Sequence, residues 1–271
     1  MRTTSSPAQI LTGMPYLPLE IEELILNFLP ELEDDGSHSV SKTCSLVCKA
    51  FLPICRKHIF GSIVLNDFSK VSPPTIHAFT RLLRESPEIA DYIRNLNYNI
   101  RIADFTSQSE SRSIQESLKR ISRLESLTVW QDCWSNVDWN NPIRPALLQL
   151  LHSPTLTHFT VDINRFVLSD LIPCVNLKYL HIGNNLTVAA KNTFPAVLPE
   201  LSIQLNELVA ATGSPGVIML CTARRPDGRP IIDFESLSKI KVNLEEINGS
   251  KVSQELFGRC PVLTKAHISC M

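Results

Sequence analysis

LESLTV at 124–129 returns as LTHFTV at 156–161 and as LKYLHI at 177–182, and this shared spacing decides how the chain folds. Each segment reads apolar, two variable, apolar, one variable, apolar. Each ends in a period-two alternation that sets its last two apolar residues on one face of a β-strand. The pattern also occurs as IRNLNY (93–98), LPELSI (198–203), LSKIKV (237–242) and, more weakly, LTKAHI (263–268). Between the copies lie stretches with helical periodicity, among them PTIHAFTRLLRESP, SRSIQESLKRIS, IRPALLQLLHS and SQELFGRC. Strand then helix, repeated in one direction, builds an α/β domain with a parallel sheet and helices behind it. Successive copies start 31, 32, 21, 21, 39 and 26 residues apart, so the period is irregular.

Upstream the patterning changes. Residues 1–13 are polar and rich in Ser and Thr, and read as a flexible start. LPLEIEELILNFLP (17–30) then reads as a helix, with Pro18 at its first turn and Glu20, Glu22 and Glu23 against the positive end of its dipole. Ile21, Leu24, Ile25 and Phe28 recur at helical spacing, while Leu19, Leu26 and Leu29 spread the apolar surface beyond one stripe. After the acidic loop ELEDDGSHS, a second helix capped by Ser39 or Ser41 places Val40, Cys44, Val47, Cys48 and Phe51 on one side. Pro53 breaks that run, and Ile54–Phe60 reads as a third short helix. Three short helices with apolar residues on several faces cannot cover them against one another. Either a partner covers them or they cap the downstream domain.

LPLEIEELILNFLP followed by SLVCKAFLPICRKHIF resembles a fungal, basidiomycete-type F-box. Leu17, Pro18, Ile21, Ile25, Leu46, Val47, Cys48, Lys49, Phe51, His58 and Phe60 stand at the pattern positions, with Phe51 where many F-boxes carry tryptophan. SPEIADYIRNL and SPTLTHFTVDI followed by LIPCVNLKYLHIG resemble the degenerate leucine-rich-repeat-like domains that follow such F-boxes, although the Asn ladder of regular repeats is missing. The resemblance implies an F-box over 14–61 and an irregular leucine-rich-repeat-like solenoid over 62–271, with the parallel sheet on its concave side. It further implies a substrate-recognition adaptor of a Skp–cullin–F-box ubiquitin ligase. Leu17, Pro18, Leu19, Ile21, Ile25, Val47, Cys48 and Phe51 would dock a Skp-type adaptor and, through it, a cullin. The alternative is an interaction scaffold that acts without the ligase.

In such a horseshoe Leu127, Val129, Leu180, Ile182, Ile240 and Val242 fill the core. Asn97, Asn99, Thr128, Trp130, Thr160, Asp162, His181, Lys241, Asn243, His267 and Ser269 form the outward row, which would bind a protein substrate. Trp130 either anchors that partner or tucks into the next loop. Trp134 and Trp139, in QDCWSNVDWNNP (131–142), either bind a partner or form a local core. The PDG of CTARRPDGRPIIDFES marks a surface hairpin.

Other function classes find little support. A net charge of -1 from 26 basic and 27 acidic side chains gives no excess for phosphate, so no nucleic acid is expected. The eight cysteines include no CxxC pair, and with no secretory leader or membrane-spanning run they read as reduced thiols in the cytoplasm or nucleus. Cys44 and Cys48, one turn apart near His38 or His58, are expected to fill a core rather than hold metal. No GxSxG, HExxH, GxGxxG or P-loop is present, and His158 and His181 are expected on opposite sides of their strands, away from a shared site. Neither catalysis nor a cofactor is expected.

Overall fold

The computed structural model describes residues 24, 39–47, 49, 51–66, 75–101, 104, 107–131, 137–183, 198–211, 213–244 and 256–270. The chain divides into two units, residues 1–59 and 60–271. In the first, α1 (Ser39–Val47) takes in both Ser39 and Ser41, the two serines expected as alternatives to cap it. The next helix, α2 (Leu52–Gly61), starts earlier than Ile54, because Pro53 in a first turn has no helical N–H bond to lose.

The second unit is α/β. Its strands are β1 (Ser62–Leu65), β2 (Asn95–Ile100), β3 (Ser126–Gln131), β4 (His158–Asp162), β5 (Tyr179–Ile182), β6 (Ile203–Gln204), β7 (Glu207–Ala210), β8 (Ile232–Asp233), β9 (Lys239–Leu244) and β10 (Lys265–Cys270). Eight form one sheet, in the order β1-β2-β3-β4-β5-β7-β9-β10, with every neighbouring pair parallel. Strands thus add in chain order.

Helices α3 (Ile76–Glu85), α4 (Gln108–Leu118), α5 (Arg144–Leu151) and α6 (Gly213–Thr222) lie in the connections. Thr75 caps α3 by accepting from Ala78 N at 3.2 Å. Ser107 caps α4 by accepting from Glu110 N, and donates in turn to the Glu110 carboxylate at 2.8 Å. Ile76, Phe79, Thr80 and Leu83 are the buried face of α3, at the spacing of an amphipathic helix. Ile76, Phe79 and Leu83 join Leu127, Val129, Leu180, Ile182, Ile240 and Val242 in one apolar core.

Backbone bonds tie the copies together. The carbonyl of Arg94 accepts the N–H groups of Glu125 and Ser126, and that of Glu125 accepts those of Thr157 and His158. The same double acceptance continues from Thr157 to Lys178 and Tyr179, and from Lys178 to Asn206 and Glu207. It ends with Asn206 accepting from Ser238 and Lys239, and Ser238 accepting from Thr264 and Lys265. At the start, Gly61 O accepts from Arg94 N at 2.9 Å. Thr157, Ser238 and Thr264 add hydroxyl donations to the same carbonyls, at 3.3, 3.0 and 2.9 Å.

This ladder corrects one expectation. LPELSI does not supply a strand of the main sheet. Its last residue, Ile203, and the following Gln204 pair with Ile232 and Asp233 in a separate two-stranded sheet. The main-sheet copy is LNELVA (205–210), with Leu205 and Leu208 both fully buried while Leu201 is 67% exposed. The starts then lie 31, 32, 21, 28, 32 and 26 residues apart, a narrower spread. Both segments satisfy the side-chain pattern; only LNELVA places Asn206 where its N–H reaches the Lys178 carbonyl. FGSIVL (60–65) is a further copy at the front, with Phe60 and Ile63 packed on the core and Leu65 within it.

The two readings of this region separate by mutation. Leu205→Ala is expected to cost about 2–5 kcal/mol as a core truncation, whereas Leu201→Ala stays within about 0.5 kcal/mol. Urea unfolding of both variants measures the difference.

Candidate interaction surfaces

Strand register gathers the outward side chains into lines. Val64, Asn97, Thr128, Thr160, His181, Val209, Lys241 and His267 are successive partners across the sheet. At the usual strand separation this line is about 33 Å long. Asn99, Trp130 and Asp162 are partners along a second line, and in the backbone register Asn243 pairs with Ser269. Sequence reading missed a third: Ser62, Asn95, Ser126, His158, Tyr179, Glu207, Lys239 and Lys265. These residues open each strand and lie two before the expected row, so strict alternation from that row finds them.

His158 and His181 therefore share one face, contrary to the expectation that they part. His158 is two residues before Thr160, and Thr160 is paired with His181. The His158 ring instead stacks on Tyr179, centroids 3.9 Å apart and ring planes nearly parallel at 7°.

Asn99 does not join an open surface. It is fully buried, donates to Asn66 O at 3.3 Å, and its own carbonyl accepts from the Asn66 amide at 2.8 Å. Asn66 holds a left-handed φ of 59°, which asparagine tolerates better than most residues. Buried Asp104 completes the knot by accepting from Tyr98 Oη at 2.8 Å, Asn66 Nδ2 at 3.0 Å and Arg101 N at 3.0 Å. Trp130 is half-buried, and its Nε1 donates to Asn97 Oδ1 at 2.7 Å. That bond holds the ring diagonally over the sheet face.

Gly183 follows β5 beside Asp162, and a Cβ there would lie 2.2 Å from Asp162 Cγ. Only glycine fits that approach. Partial burial lowers the His181 pKa below the ordinary 6.5; Asp162 opposes the shift and Lys241 adds to it. The neutral ring is favoured in the folded state. Its contribution to stability is present above 6.5 and fades as pH falls through the depressed value.

Trp139 is fully buried, so the local-core reading of that loop holds for it. Its Nε1 donates to Asp170 Oδ2 at 2.6 Å, and its ring meets Phe166 edge-on at 4.9 Å. Arg144 pairs with the same carboxylate, Nη2 standing 2.8 Å from Oδ1 and 2.9 Å from Oδ2. Trp134 lies outside the described residues. The PDG turn is present, with Gly228 at φ 83° and Arg225 N donating to Arg229 O at 2.8 Å. Arg225 is nevertheless 4% exposed, donating to the carbonyls of Leu201 and Pro199 and pairing with Asp227, so it is not a surface basic residue.

No family model matches the chain, and no curated protein or solved structure matches it either.

In the first unit, Leu17, Pro18, Leu19, Ile21, Ile25 and Cys48 lie outside the described residues, and of Val47 only its place in α1 is described. Phe51 is half-buried and its carbonyl accepts from Cys55 N at 2.8 Å. Leu24 is 53% exposed, Val40 37% and Leu46 87%. Ser41, beside Val40 in α1, is 2% exposed. Leu46 stands among the F-box pattern positions but not among the residues expected to dock the adaptor. Among the described residues no three His, Cys, Asp or Glu side chains gather to hold a metal, and no helix is long and apolar enough to cross a membrane.

Two outcomes check this description. An NMR titration is expected to place the His181 midpoint below 6.5, moving up in Lys241→Ala and down in Asp162→Asn. Asp170→Ala leaves Arg144 and Trp139 without their acceptor and is expected to cost about 3–5 kcal/mol in urea unfolding.

Proposed function

We propose that this chain is the substrate-recognition subunit of a Skp–cullin–F-box ubiquitin ligase, with residues 14–61 docking a Skp-type adaptor and the following domain holding a protein substrate. The observation that carries this reading is the exposure of Leu24 and Leu46, at 53% and 87%. Apolar side chains left in water on a short helical unit favour a partner that covers them. Covering one leucine fully is worth about 1.5–3 kcal/mol. Both residues lie within the stretches that resemble an F-box.

The second unit is read as a degenerate leucine-rich-repeat-like solenoid. The chain-order parallel sheet and the carbonyl ladder support that reading, since each copy leans on its neighbour as repeats do. The outward lines, mostly polar and with Trp130 held across them, suit a protein segment as ligand. Such a subunit makes and breaks no bond. It raises the concentration of substrate near the ligase, and no cofactor is needed for that.

Leu46→Asp changes a side chain that bears little on folding, and it is expected to weaken capture of a Skp-type adaptor at least about tenfold. Ile25→Asp is expected to do the same, while Trp130→Ala leaves adaptor capture intact. Full adaptor binding by both aspartate variants, with unchanged circular dichroism, would remove the docking claim. Adaptor recovered without cullin would favour the ligase-free scaffold instead.

A further inference from the structure

The far edge of the sheet differs from its middle in three ways. Among the described residues no strand lies beyond β10, which pairs only with β9. On the helix side, Ala266 is exposed and Ile268 is 39% exposed, although their β9 partners Ile240 and Val242 are 3% and 0% exposed. On the outward side, Lys239 is in register with Lys265 and Lys241 with His267. The one ion pair among the described residues there joins Lys239 to Glu207 at 3.4 Å. Polar Lys265 and His267 thus alternate with apolar Ala266 and Ile268 along β10.

The backbone of β10 is set to accept a neighbour. In a parallel strand the N–H and C=O groups of alternate residues point to opposite edges. Lys265 N donates to Ser238 O, so Lys265, His267 and Ser269 turn their backbone groups toward β9. Ala266 and Ile268 turn theirs to the edge away from β9, where no strand lies among the described residues.

We infer that β10 receives an extended segment of a partner protein as a further strand, and that this segment alternates acidic with apolar residues. Its acidic side chains would stand beside Lys265 and His267, with Lys241 one strand away. Its apolar side chains would cover Ala266 and Ile268, extending the inner rows. Backbone bonds supply the attraction and the alternation supplies the selectivity. A second copy of this chain fits less well: antiparallel pairing of β10 with itself would bring two Lys265 side chains to one face of the junction and no acidic residue to meet them. The inference rests on reading the second unit as the partner-binding part, and not on adaptor docking.

Fluorescence anisotropy on the full chain tests it, using a labelled short peptide alternating Glu and Val against one alternating Lys and Val. The Glu peptide is expected to bind saturably and the Lys peptide at least about tenfold more weakly. Ile268→Pro removes an outward N–H but no bond to β9, and proline is tolerated at a sheet edge. It is expected to abolish binding while circular dichroism stays unchanged. If that variant misfolds, the double change Lys265→Glu with His267→Glu decides instead, by reversing the preference toward the Lys peptide. Equal binding of both peptides, or binding of neither, overturns the inference. So does concentration-dependent dimerisation of the wild-type chain that the double change strengthens, which would make a second copy the occupant. Loss of peptide binding with adaptor capture retained leaves the ligase proposal standing; the reverse leaves the edge inference standing.

Discussion

One carbonyl per copy, accepting two N–H groups of the next, is the constraint on which the second unit depends. It runs from Arg94 through Glu125, Thr157, Lys178 and Asn206 to Ser238. Because each strand is tied at its first residue, every later residue falls opposite its counterpart. Apolar rows then stack on one side of the sheet and polar rows on the other. A slip of one residue would turn Leu127 and Val129 to solvent and bury Thr128 and Trp130. Such a slip is excluded by burial and by the ladder together.

The same constraint shapes the surface. Outward side chains from distant parts of the chain become neighbours, so His158 meets Tyr179 and Trp130 reaches Asn97. The first strands carry neutral polar residues on this face and the last ones carry lysines and a histidine. No net charge of the whole chain reports that gradient. A balance of 26 basic and 27 acidic residues is compatible with a locally basic edge.

Irregular connections are stabilised differently. The ladder ends at each strand, and beyond it buried polar groups need partners of their own. Asp170 meets that need for Trp139 and Arg144, and Asp104 does so for Tyr98, Asn66 and Arg101. An aromatic residue in an insertion thus became a core residue, because a carboxylate 31 positions away accepts its indole N–H.

From the sequence alone, strand and helix alternation, parallel pairing and the core places of Leu127, Val129, Leu180, Ile182, Ile240 and Val242 could be read, because burial imposes its own period on the chain. The outward row from Asn97 to His267 followed from the same alternation. The phase of the copy near 200 did not, since LPELSI and LNELVA meet the same apolar pattern and only a backbone bond to Lys178 separates them. Nor did the burial of Asn99 and Trp139, the shared face of His158 and His181, or the exposure of Leu46. Each depends on which residues a distant segment brings near, and hydrogen bonds across 30 or so positions leave no local period to read.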